Sequence, residues 1–297
     1  MVGLEGIYCA LWTPTDAKGN ILWQVFEKHL AFVLGTPVQG IMALGSTGEF
    51  VHLTLAQRKQ ILERVATECQ ARGRGLIANV SDIQIRNVID LARHAKQAGA
   101  TCISVLAPWY YALEQRDLAE FFIEVAFASE APLALYNYPE VTGKKIELET
   151  IEKVAERANL VAVKQSGADF AYHKDLLKLG QQLGFLVMSG SDTRLEEILG
   201  LGCSGSVSGL ANAIPEVLCE IYENFRKGLT SPKQTALVAE LSGQINRVLF
   251  PFNVKAAIAA RGFETGAPKM PVSSETIATY EGVVSGVKAL YQSAGVR

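Results

Sequence analysis

The feature that most constrains this chain is a rhythm: short runs rich in β-branched and aromatic residues alternate eight times with longer segments of helical periodicity. The runs are GIYCALWTP, QGIMALGST, RGLIANVS, TCISVLAPW, PLALYNYP, LVAVKQSG, FLVMSGSD and GSVSGLAN, with amphipathic segments such as LTLAQRKQILERVATECQ between them. Several runs are nearly continuous in apolar residues, as expected of parallel strands covered by helices on one side and packed against a filled interior on the other. Gly73, Gly99, Gly184 and Gly202 stand at returns from helix to strand, where a residue free to take positive φ ends a helix. Eight such units predict an α/β fold, a (β/α)8 TIM barrel, over residues 1–226. After the eighth run, PKQTALVAELSGQINRVL and SETIATYEGVVSGVKALYQ read as helices, so residues 227–297 are expected to form an appended C-terminal helical region. A doubly wound open sheet is the rival, but no GxGxxG or GxxxxGK[ST] loop follows the first run.

Composition narrows the partners. With 49% hydrophobic and 20% charged residues in 297, the chain has ample material for a core. Its net charge of -2 provides no broad attraction to nucleic acids or anionic membranes, so a small-molecule partner is the expectation. The cysteines, Cys9, Cys69, Cys102, Cys203 and Cys219, show no CxxC spacing and read as buried thiols. His29, His52, His94 and His173 form no HExxH pair, so no metal site is expected. The first residues, MVGLEGIYCA, lack a basic region followed by a long apolar stretch, and no uncharged run reaches membrane-spanning length; a cytoplasmic location is expected.

Active sites of such barrels lie at the carboxyl ends of the strands, and three strand ends carry polar chemistry. The sixth run places Lys164 directly after an apolar stretch, where a charged head is costly to bury without a purpose. An amine removed from water sheds its proton more readily, and the neutral amine can attack a ketone to form an iminium that withdraws electrons from the neighbouring carbon. A barrel-end lysine paired with a carboxylate is the alternative. Tyr136 ends the fifth run, one βα unit earlier, where a phenol can pass protons to and from the carbinolamine or the aldol oxygen; a buried tyrosine with a satisfied hydroxyl is its alternative. The second run leads into GSTGEF, in which Gly45 and Gly48 let backbone amides approach a ligand and Ser46 and Thr47 supply hydroxyls: an anion cradle, or merely a glycine turn that starts a helix.

Together GSTGE, YNYPEVTG and VKQSG resemble the family of dihydrodipicolinate synthase and N-acetylneuraminate lyase, the class I pyruvate-dependent aldolases, over essentially the whole chain. The resemblance implies that Lys164 is the Schiff-base lysine and Tyr136 the catalytic tyrosine, with no cofactor beyond the covalent Schiff base. It further implies that Ser46 and Thr47 bind the pyruvate carboxylate, that Thr47 links Tyr136 into a hydroxyl relay, and that Gly45 and Gly48 shape the loop. Tyr110, in APWYY, matches a tyrosine that completes the relay in a neighbouring subunit, which implies a homotetramer; a WYY cluster is also what a plain hydrophobic interface looks like. Gly190, Asp192, Thr193 and Val207 complete the expected substrate-binding set.

Departures from the family pattern bear on substrate. Dihydrodipicolinate synthases carry an arginine five positions after the catalytic tyrosine to grip a second carboxylate; this chain has Val141. N-acetylneuraminate lyases show an acidic pair after the seventh-strand glycine, whereas here Gly190, Ser191 and Asp192 are followed by Thr193. APWYY, YNYPEVTGK and SGSD are more similar to aldolases acting on 2-keto-3-deoxy sugar acids, so the expected reaction joins or separates pyruvate and an aldehyde. Asp192 and Thr193 would meet a polyol chain, although Asp192 also fits as the N-cap of the next helix. A Schiff-base dehydratase, a cyclising synthase and a non-catalytic keto-acid-binding barrel are the alternatives.

Overall fold

The computed structural model describes residues 3–167 and 169–296. Eight parallel strands close into a barrel in chain order: β1 (Gly6–Ala10), β2 (Gly40–Ala43), β3 (Gly75–Asn79), β4 (Cys102–Leu106), β5 (Leu133–Asn137), β6 (Leu160–Gln165), β7 (Leu186–Ser189) and β8 (Gly205–Ser208), with β8 returning to pair with β1. Each lies inside one of the eight runs picked out by sequence, which is the (β/α)8 barrel expected. The strands stop short of the ends of those runs because the last residues turn outward as the loops that build the site.

Most strands are predominantly apolar because both faces are covered, and β1 to β5 are buried at every position. β8, GSVS, is the exception: a Cβ on Gly205 would stand 2.0 Å from the carbonyl oxygen of Gly6, so the closing pair tolerates no side chain there. Its buried Ser206 hydroxyl donates to the Ser189 carbonyl at 3.0 Å. At the amino-terminal end of the barrel the Tyr8 ring fills the space that side chains on Gly40 and Gly75 would need. Gly99 and Gly202 end their helices at φ +91° and +106°, as the helix-to-strand returns require. All five cysteines are buried and free.

After the helix Pro215–Arg226 come Pro232–Ile245, Phe252–Ala260 and Ser274–Ala294. The first and last were legible as helices; Phe252–Ala260 was not, because FNVKAAIAA is apolar almost all round and has no amphipathic stripe. It packs against Ser274–Ala294 and against the turn Leu210–Asn212 that follows β8. Among the described residues, no helix is long and apolar enough to cross a membrane.

Asn212 ties this turn to β1: its side chain accepts from the Trp12 amide and donates to the Ala10 carbonyl, and its Oδ1 lies 3.1 Å from His29 Nε2. Burial pushes His29 from 6.5 down to about 4. The unfolded chain thus takes up a proton near pH 6.5 that the folded chain refuses until about pH 4. The resulting stability is complete above the upper value and is lost on descending through the window, by about 3 kcal/mol at its foot. Urea unfolding between pH 7 and 4 is expected to show this decline, and His29→Gln to flatten it; an equally steep decline in the variant would assign the acid sensitivity to other groups.

Candidate active site

The register of β5 on β6 sets Tyr136 directly opposite Lys164, so both side chains point into the same end of the barrel. Lys164 is buried, its Nζ 4.1 Å from the centroid of the Tyr136 ring and 3.9 Å from Met42 Sδ on β2. Among the described residues it forms no ion pair, which sets aside the paired-lysine alternative. The amine rests on a π-face and a thioether, contacts that hold it in place without an ion pair.

The loop after β2 is strained at both ends. Leu44 and Glu49 are non-glycine residues at φ +61° and +53°, and between them Gly48 N donates to Gly45 O at 3.0 Å. Gly48 has to be glycine, since a Cβ there would stand 2.9 Å from the Leu11 carbonyl; one on Gly45 would meet only the Met42 side chain at ordinary contact distance. Within this turn the amides of Ser46 and Thr47 donate to no acceptor among the described residues. Two adjacent free N–H groups with two hydroxyls make a cradle for a carboxylate.

The turn separates the two hydroxyls. Ser46 Oγ lies 3.4 Å from the Tyr136 hydroxyl, whereas Thr47 faces β8, its Oγ1 3.6 Å from the Cβ position of Gly209. The expectation that Thr47 links Tyr136 into a relay is therefore corrected: Ser46 makes that contact, because successive residues of the turn point to opposite sides.

A cavity of about 280 Å³ opens above Lys164. Thr47, Tyr136, Lys164, Gly190, Asp192, Thr193 and Val207 of the expected set line it. Gly190 leaves it open, since a Cβ there would fall 2.2 Å from Ser166 Oγ and 3.4 Å from Lys164 Cε. Asp192 does not cap the next helix, which begins at Leu195 without a side-chain cap. Its Oδ2 instead accepts from Leu210 N at 3.1 Å, and its buried Oδ1 meets no hydrogen-bond partner among the described residues. Burial raises its pKa, opposed by the Ser208 hydroxyl, the Leu210 amide and the charge of Lys164.

Tyr110 stands apart from the cavity, 73% exposed, edge-to-face with Tyr111 beside an apolar groove that includes Ile83 and Phe121. Sequence reasoning missed Tyr138, Ser166 and Ser191 on the cavity wall, and also Asn246, Phe250 and Asn253, which come from beyond residue 226. The helical tail is thus part of the site. Its one visible signal was Lys255, a lone cation in the apolar helix FNVKAAIAA.

The chain is thus a closed eight-stranded barrel that sets a buried lysine, without an ion pair among the described residues, opposite a tyrosine at its strand ends. The dihydrodipicolinate synthetase family model matches residues 3–290, and the chain belongs to that family of lyases and aldolases; it is a carbon–carbon lyase. It is 30% identical over 268 residues to 4-hydroxy-tetrahydrodipicolinate synthase of Staphylococcus haemolyticus, covering 90% of each chain. Among solved structures it is similar to YagE of E. coli K12, a prophage protein of the dihydrodipicolinic acid synthase family in complex with pyruvate, at a TM-score of 0.89 and 25% identity over 99% of both chains. It is also similar to the 2-keto 3-deoxygluconate aldolase of Picrophilus torridus, at a TM-score of 0.82 and 25% identity over 91% of this chain and 98% of that one.

Proposed function

We propose that this enzyme reversibly cleaves a 2-keto-3-deoxy sugar acid to pyruvate and an aldehyde. The observation that carries the reading is the charge of the cavity wall: among its described residues Lys164 is the single cation, and the remaining polar groups are hydroxyls, amides and the Asp192 carboxylate. A substrate with a second carboxylate would need an arginine or lysine to replace its lost water. Val141 stands where the synthases carry that arginine, and it is 50% exposed. A wall of Ser166, Ser191, Thr193, Asn246 and Asn253 suits a chain of neutral hydroxyls, each able to find a donor and an acceptor.

In this scheme the keto acid carboxylate sits on the free amides of Ser46 and Thr47. The neutral Lys164 amine adds to the ketone carbon, and loss of water gives the iminium. The bond between C3 and C4 breaks as the C4 hydroxyl passes its proton toward Tyr136, the aldehyde leaves, and the electron pair is held as an enamine. Protonation at C3 and hydrolysis return pyruvate and the free amine. No metal or organic cofactor is required.

The test is a panel of 2-keto-3-deoxy hexonates and pentonates assayed for pyruvate release, beside N-acetylneuraminate cleavage and the condensation of pyruvate with aspartate semialdehyde. Pyruvate release from at least one sugar acid is expected at a kcat/KM at least about 100-fold above the condensation with aspartate semialdehyde, the margin that an unpaired buried charge imposes, and above N-acetylneuraminate cleavage. Loss of water without pyruvate release would indicate a dehydratase instead.

A further inference from the structure

Glu49 closes the loop motif, yet neither the barrel nor the reaction scheme gives it a task. It is not among the residues that line the catalytic cavity. Its side chain is 11% exposed and its Oε2 accepts from Lys269 Nζ at 2.8 Å. The side chain of Lys269, on the connector before the last helix, is 3% exposed. The same ammonium donates to the Thr13 carbonyl at 2.7 Å and lies 4.6 Å from the centroid of the Trp12 ring. Its connector is pinned nearby by the Ala267 amide, which donates to Thr15 O at 2.8 Å. One buried cation thus joins three segments: the end of β1, the loop after β2 and the C-terminal connector.

A buried ion pair of this kind is a poor source of stability, because desolvation consumes most of the Coulombic gain, so its use is better sought in geometry. That geometry is specific. Left-handed backbone at Leu44 and Glu49 persists only where the surroundings over-determine it. At the first end Asn79 Nδ2 donates to the Leu44 carbonyl at 2.6 Å, and at the second end Lys269 holds the Glu49 side chain. Between these anchors lie the free amides of Ser46 and Thr47.

We propose that Glu49 and Lys269 are positioning residues, an ion pair that anchors the loop after β2 so that its two free amides converge on the substrate carboxylate. The inference rests on the reading that a keto acid carboxylate binds there. Lys255, buried 5.6 Å from the Trp12 ring, is the second cation whose charge reaches Glu49, with burial drawing it down to about 8 against the pull of Glu49. Removing Lys269 therefore leaves Glu49 a counter-charge but no tether to Thr13.

The experiment is borohydride trapping on the full chain at increasing pyruvate, in parallel with pyruvamide, which keeps the ketone and replaces the carboxylate by a neutral amide. Lys269→Met and Glu49→Gln are expected to raise half-saturating pyruvate roughly tenfold or more, the loss expected when charge-assisted hydrogen bonding is misaligned. They should leave the saturated trapping rate within about threefold and the half-saturating pyruvamide unchanged, with Lys269→Arg restoring pyruvate binding. If Lys269→Met does not fold, the isosteric Glu49→Gln gives the same readout. An unchanged pyruvate dependence, or equal losses for both ketones, would overturn the proposal while leaving the Schiff-base reading intact; no pyruvate adduct on the wild type would remove both.

Discussion

Lys164→Ala is expected to abolish the borohydride-stable pyruvyl adduct and to lower kcat on the sugar acid by on the order of 10⁴-fold or more, the scale on which losing a covalent nucleophile acts. The protein should still fold. Among the described residues Lys164 makes no ion pair and no hydrogen bond stronger than its 3.9 Å approach to Met42 Sδ, and its removal takes away only a charge that opposes the raised pKa of the buried Asp192, a carboxyl that can take up a proton in place of that charge. What is lost is a cation on the Tyr136 ring and a few methylenes, and the small cavity that results opens onto the larger one. Intact mass after trapping reads the chemistry, and the urea midpoint reads the fold. An adduct that survives on the variant would move the Schiff base to another amine. Lys255 is the alternative to examine, since burial brings it down to about 8.

The barrel was legible because its determinants are local and repeated. Each strand lies in an apolar run that two covered faces demand, and glycine marks the helix ends where left-handed backbone is needed. Lys164 and Tyr136 were legible for a related reason: a polar residue that ends an apolar strand stands out by its cost. The loop was readable in composition but not in detail. The sequence points to Gly45 and Gly48 as the residues with special backbone, while the left-handed conformations fall on Leu44 and Glu49, held by Asn79 and Lys269 from distant parts of the chain. Which of two adjacent hydroxyls meets Tyr136 depends on the same turn, and no residue-level preference separates Ser46 from Thr47. The contribution of the tail was hidden most completely, because Asn246 and Asn253 become cavity residues only when the helices after residue 226 fold back over the barrel mouth.

Tyr136→Phe separates proton transfer from positioning. The phenylalanine ring keeps the packing of a side chain that is 3% exposed, keeps the face on which Lys164 rests, and keeps the stacking with Tyr138 at a centroid distance of 5.9 Å. Only the hydroxyl disappears, and with it the 3.4 Å contact to Ser46 Oγ. Adduct formation needs a proton delivered to the carbinolamine oxygen before water can leave, and cleavage needs one removed from the C4 hydroxyl. Both steps should slow together, with kcat falling about 10²- to 10⁴-fold while the saturated level of pyruvyl adduct after long trapping remains near that of the wild type. The Michaelis constant should change little, because the carboxylate cradle lies on the loop after β2 and not on Tyr136. A lasting kcat within a few-fold of wild type would mean that the proton travels by another route, with Asp192, whose Oδ1 meets no partner among the described residues, the next group to replace. A lost adduct with unchanged stability would mean instead that the hydroxyl is needed to form the iminium at all, and Ser46→Ala, which removes its hydrogen-bond partner, should then reproduce part of that loss.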